Sequence, residues 1–161
     1  MSDPKLIIGR TGSGKTHRLQ QLITAHADDP TTTVWAITPY DELDGADRHT
    51  HIDGAEQLLT DVLTEVDRRY ASGHEHTPTE AEPRIRLIVD QVDLAHELLG
   101  KSAPFGHLLT RVAVIGRKAG VDIVLTASTT HLDRWPVGLH RHFDRPGTTE
   151  ILPSRRHDDE A

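Results

Sequence analysis

Eight residues, Gly9-Arg10-Thr11-Gly12-Ser13-Gly14-Lys15-Thr16, have the types and the spacing to hold a phosphate chain. They follow the apolar run Leu6-Ile7-Ile8 and lead into Leu19, Leu22 and Ile23 at helical spacing. Strand, glycine loop and helix is the context that Gly-x4-Gly-Lys-Thr requires. Glycines let successive backbone N–H groups turn toward one anion with no Cβ in the way. The helix beginning near Gly14 adds unsatisfied N–H groups and the positive end of its dipole. Lys15 is spaced to reach the outer phosphates, and the Thr16 hydroxyl to ligate Mg²⁺. The whole loop, Gly9 to Thr16, is the expected nucleotide-binding segment, with ATP and Mg²⁺ as the cofactors.

A triphosphate site also needs an acid at the end of an apolar strand to hold the metal through water. Asp90, closing Leu87-Ile88-Val89, is that acid, so Thr16 and Asp90 form the expected metal pair. The plainer role for Asp90 is a strand-end or helix-capping carboxylate. Gln91 follows it. An amide can orient water but cannot accept a proton as a carboxylate does. Binding and hydrolysis therefore separate: the first reads as intact, the second as weakened. Asp93 stands two residues on, and is expected to lie on the next helix and point elsewhere.

These residues need a scaffold. Thr32 to Thr38 is β-branched and aromatic and reads as the second strand, after a helix over 14–27 that Pro30 cannot continue. The stretch from Pro39 to Ile52 reads as irregular, and Asp53 as the N-cap of a helix from Ala55 to Tyr70. In that helix Leu58, Leu59, Val62, Leu63 and Val66 recur at helical spacing. Ser72 to Pro83 reads as a loop. Leu87 to Asp90 is a buried strand, Val92 to Leu99 a short helix closed by Gly100, and His107 to Ala119 a further helix ended by Gly120. Val121 to Ala127 is another buried strand, and a last one falls near Thr148 to Leu152. Alternating strands and helices predict an α/β fold, a mostly parallel sheet with helices on both faces. One domain is expected over 1–153, followed by a charged, disordered tail over 154–161.

Composition narrows the class. With 161 residues, 35% of them hydrophobic, the chain can bury one sizeable core. It has no cysteine, which excludes disulfides and thiolate metal sites; without signal or membrane-spanning segments the chain reads as cytoplasmic. The net charge of −7 argues against binding nucleic acid over the whole surface, though not over a local Arg-lined face. Twelve histidines, several in pairs such as His49 and His51, read as solvated loop residues rather than metal ligands.

With these motifs in hand, the chain resembles the FtsK/SpoIIIE branch of the FtsK–HerA ring translocases. Gly9 to Thr16 is similar to that family's phosphate loop. Glu65-Val66-Asp67-Arg68-Arg69-Tyr70 resembles its Glu-Met-x-x-Arg-Tyr helix end. Pro83 to Leu94 resembles its acid-bearing strand, and Gly116 to Thr126 its Gly-Arg-Ala-Ala-Gly segment. The resemblance implies a RecA-like P-loop NTPase core that forms rings, usually hexamers, and moves double-stranded DNA. It also implies Arg117 as the candidate for an arginine reaching a neighbour's γ-phosphate; the plainer reading is a surface arginine. Three positions depart from the family. Thr38-Pro39-Tyr40 replaces Asp-Pro-Lys, Gln91 replaces Glu, and Ser128 stands where a phosphate-sensing Gln belongs. The expected function is an ATP-binding translocase module acting on double-stranded DNA, alone as a homo-oligomeric ring or on a partner ATPase. The alternatives are a catalytically degenerate adaptor that regulates a partner ATPase and, behind it, a small P-loop kinase.

Overall fold

In a computed structural model, which describes residues 4–153, six parallel strands form one sheet. They are β1 (Lys5–Ile8), β2 (Thr32–Ile37), β3 (Arg48–Thr50), β4 (Arg84–Val89), β5 (Val121–Ala127) and β6 (Thr149–Ile151), in the spatial order β3-β2-β4-β5-β1-β6. Four α-helices fill three of the connections: α1 (Lys15–Thr24) after β1, α2 (Ala55–Tyr70) after β3, and α3 (Val92–Leu99) with α4 (Pro104–Ile115) after β4. The charged tail at 154–161 lies outside the described residues.

The period-two pattern of the strands divides the core. Leu6, Ile37, Leu87, Val89, Ile123 and Leu125 face α2, α3 and α4 and make the larger cluster with Leu59, Val62, Phe105 and Leu109. Ile7, Val34, Ala36, Ile88 and Val124 face the other way, against Leu19 and Ile23 of α1 and Leu43 of the following loop. Both faces of the central strands are covered, so β5 is buried along its whole length. Each fully buried Leu or Ile contributes about 1.5–3 kcal/mol.

Several boundaries differ from the sequence expectation. The stretch from 39 to 52 contains β3, which pairs Trp35, Ala36 and Ile37 with Arg48, His49 and Thr50. It is an exposed polar edge strand, so no hydrophobic alternation marked it. Asp53 does not cap α2; it sits in a 3₁₀ turn over Ile52–Gly54, and Gly54 precedes the helix without a side-chain cap. α4 starts at Pro104, whose fixed φ suits a first helical turn, and stops at Ile115 before a 3₁₀ turn over Arg117–Ala119. The loop at 72–83 is tied down. Arg69, nearly buried, donates to the carbonyls of Pro83 and Ala119 at 2.8 Å each, and the His76 N–H donates to Lys118 O at 2.9 Å.

Candidate functional site

The phosphate loop leaves β1 and enters α1 at the C-terminal edge of the sheet. Gly12 and Gly14 have φ of 80° and 94°, a conformation that disfavours side chains. A Cβ on Gly9 would collide with the Ser13 hydroxyl, so a larger residue there would force the Ser13 side chain aside. The Ser13 N–H donates to Arg10 O at 3.0 Å, completing the turn. Gly14 is the N-cap of α1 and offers no side-chain oxygen, which leaves the first N–H groups of the helix to a ligand.

Three strands bring a polar row to meet the loop. On the α1 side of the sheet, Ala36, Ile88 and Val124 lie in register. Two residues further along each strand the row becomes Thr38, Asp90 and Thr126, all fully buried. A one-step change from apolar to polar at the strand ends builds the floor of the site.

Asp90 is its centre. Thr126 donates its hydroxyl to Asp90 Oδ1 and accepts the Gln91 N–H at 2.8 Å. The Thr16 hydroxyl reaches Asp90 Oδ2 at 3.4 Å. Burial pushes the Asp90 carboxyl above the usual carboxylate range, and the Thr126 hydroxyl pulls it back. Lys15 is 7% exposed and donates to Gly9 O at 2.5 Å and Arg10 O at 3.1 Å. Burial lowers its pKa, while the Asp90 and then the Asp93 carboxylates raise it. Lys15, Thr16 and Asp90 are thus brought together from two elements 74 residues apart along the chain.

Gln91 is the one non-glycine with positive φ among the described residues, at 52°. Its N–H is fixed by Thr126, and its carbonyl accepts the Ala95 N–H at 2.9 Å. The left-handed turn lets β4 pass directly into α3. Asp93 corrects the sequence expectation. It is on α3, but it is buried and faces the site: Oδ2 accepts the Ser128 N–H at 3.1 Å, and Oδ1 is buried without a hydrogen-bond partner. The left-handed turn at Gln91 and the start of α3 bring the side chain to the end of β5, a consequence of tertiary placement that sequence spacing alone does not give. Thr126 and Thr38 were also missed as site residues. Their signal was a hydroxyl residue at the end of each of two apolar strands. Thr38 donates to Asp41 O, so His49 Nε2, 2.7 Å away, must donate to Thr38.

Arg117 is not brought to this edge. It lies in the 3₁₀ turn before β5, at the opposite end of the strands from the phosphate loop.

The donors present fit Mg²⁺ and a triphosphate. Two hard oxygens, on Thr16 and Asp90, converge beside a lysine and an uncapped helix start, and the Ser13 hydroxyl at the same loop is buried without a partner. No helix among the described residues is long and apolar enough to cross a membrane.

No protein-family model matches the sequence, and no curated protein matches it. Solved structures do. ATPases 2 and 3 of EssC from Geobacillus thermodenitrificans match with a TM-score of 0.70 at 16% identity, over 87% of this chain and 30% of that one. The cytoplasmic domain of the type VII secretion ATPase EccC from Thermomonospora curvata matches with a TM-score of 0.65 at 18% identity, over 88% and 20%. The pCW3 conjugation coupling protein TcpA, solved in monomer form with ATPgS, matches with a TM-score of 0.62 at 19% identity, over 87% and 46%. The chain spans between a fifth and about half of the length of these three. At such identities the likeness establishes the fold: the α/β architecture of P-loop ATPase domains.

Proposed function

We propose that this chain is an ATP-binding module of the FtsK/SpoIIIE type, acting on double-stranded DNA as a cytoplasmic ring or together with a partner ATPase. The observation that carries the reading is the convergence of Lys15, Thr16 and Asp90 where β1 and β4 end. The backbone N–H groups of the loop and the Lys15 ammonium would hold the phosphates, and Thr16 and Asp90 would hold Mg²⁺. Bound there, Mg²⁺–ATP supplies a phosphoanhydride whose terminal phosphate is open to water. Gln91 would orient that water through its amide, and Asp93, whose Oδ1 has no hydrogen-bond partner, would accept its proton. Arg117, remote from its own phosphate loop, would serve only a neighbouring subunit. Steady-state ATPase activity with and without double-stranded DNA tests the reading. Several-fold stimulation is expected; retained ATP binding with no turnover under either condition would contradict the motor.

A second reading is favoured by Gln91 and Ser128. A site that binds but hydrolyses poorly suits an adaptor that docks on a partner ATPase and reports nucleotide. Gln91→Glu decides between them. Both side chains meet the same left-handed backbone cost, so the swap is structurally even. A gain in turnover supports the enzyme, and no gain supports the adaptor.

A further inference from the structure

A second polar site lies at the other end of α3. A groove of about 510 Å³ runs between the start of α4 and the 133–137 segment, with Lys101, Gly106, His107, Asp133 and Trp135 in its walls and His96 at its base. α4 opens there uncapped. Its N-cap, Ala103, supplies no side-chain oxygen, and Pro104 has no N–H, so the amides of Phe105 and Gly106 have no intrahelical partner. His96 is 5% exposed, and its Nδ1 is buried with no hydrogen-bond partner. The ring edge is aimed at the first turn of α4. A Cβ on Gly106 would stand 3.3 Å from Nδ1 and 3.2 Å from Cε1, so a larger residue would press the ring and the helix start apart. Lys101 is close enough for its charge to depress the His96 pKa further below what burial alone gives.

An orphaned buried imidazole costs stability unless something satisfies it. The free amides at the start of α4 and the Lys101 ammonium on the same groove favour an anion. We propose that this groove binds the oxyanion group of a small molecule, with the Phe105 and Gly106 amides, His96 as its Nδ1–H tautomer, and Lys101 as the donors. Helix N-termini favour anions through both their free amides and their dipole. The groove is larger than a bare oxyanion, so it has room for an organic body against the Trp135 wall. Asp133, exposed at the rim, is the one carboxylate among the lining residues and opposes the anion.

The test is an amide-resolved NMR titration of the full chain with inorganic phosphate and, in parallel, acetate, against chloride at matched ionic strength. Saturable shifts of the Gly106 amide and of the His96 ring nitrogens are expected. Saturation by phosphate assigns a phosphorylated ligand, and saturation by acetate alone a carboxylate; either supports the site. The shifts should persist in Lys15→Ala, which separates them from any binding at the phosphate loop. They should vanish in His96→Leu and weaken by about fivefold or more in Lys101→Glu. Lys101 is exposed, so that variant keeps the test valid if His96→Leu fails to fold. Asp133→Asn should tighten binding. No saturable shift at Gly106, shifts indifferent to Lys101→Glu, or weakening in Asp133→Asn would overturn the proposal.

Discussion

Asp90 is a fully buried carboxyl with one hydroxyl on each oxygen, and burial disfavours its charged form. Lys15 offsets part of that cost, and a bound metal cation would offset the rest. Asp90→Asn is therefore expected to raise the unfolding temperature of the nucleotide-free protein while removing the Mg²⁺ dependence of ATP binding. Calorimetric unfolding and titration check the two halves, and a lower unfolding temperature would mean that Asp90 is structural. His96→Leu follows the same logic: replacing an unpartnered buried polar atom with an apolar group should stabilise by about 1 kcal/mol in a denaturant titration. The phosphate loop and Asp90 were legible in the sequence because their chemistry depends on local spacing. Asp93, Thr126 and Thr38 were not, because their place in the site depends on which strands lie side by side and on the turn at Gln91. That turn is unusual: nothing in the composition of Asp90-Gln91-Val92 announces a left-handed residue, and it is held by the Thr126 hydroxyl on the Gln91 N–H and the Ala95 N–H on its carbonyl.

Among the elements, α2 was legible to the residue, since five apolar positions repeat at helical spacing over Ala55–Tyr70. β3 was not, because a three-residue edge strand of Arg48, His49 and Thr50 carries no alternation. What fixes α2 to the sheet is its last turn. Arg69 reaches two backbone carbonyls and pairs with Glu65 at 2.7 Å, and Glu65 also pairs with Arg68. Arg69→Ala would leave those carbonyls unpaired and cost about 2–4 kcal/mol in a denaturant titration. A loss under half of that would mean that water replaces the guanidinium. The Arg68 and Arg69 guanidiniums hold the Glu65 carboxyl down at about 2, against burial, which raises it. Since the folded value lies below the unfolded one, its stabilisation is fully present above the ordinary Glu range and is lost as the pH falls toward about 2. Discounted for partial exposure, this amounts to about 1–2 kcal/mol at neutral pH. The stability gap between wild type and Glu65→Gln should therefore close between about pH 4.5 and pH 2. A gap that does not change with pH would mean that the pair contributes through packing alone.

For the whole molecule, the sequence predicted a largely parallel α/β sheet but not its order. Strand order is a property of long-range packing, and β5 between β1 and β4 is what spaces the phosphate loop from the acid by one strand. With that spacing, Lys15 still comes close enough to Asp90 for the carboxylate to raise its pKa. The α1 face grades from charge to apolar to polar along its strands: Arg86 pairs with Asp122 at one end, Ile88 and Val124 fill the middle, and Asp90 and Thr126 form the other end. The 10 residues of α1 cover the apolar band, and its first turn overhangs the polar one. The fold and the site are therefore one arrangement, and a ligand that completes the polar end should stabilise the whole domain against unfolding. At a concentration a hundred times its dissociation constant, Mg²⁺–ATP should add about 2.7 kcal/mol, raising the unfolding temperature of a domain of this size by roughly 5–10 °C. Thermal unfolding with and without Mg²⁺–ATP, on wild type and on Lys15→Ala, measures this directly. The expected result is a concentration-dependent rise in wild type that disappears in Lys15→Ala; no rise in wild type, or an equal rise in both, would contradict a nucleotide site at the phosphate loop.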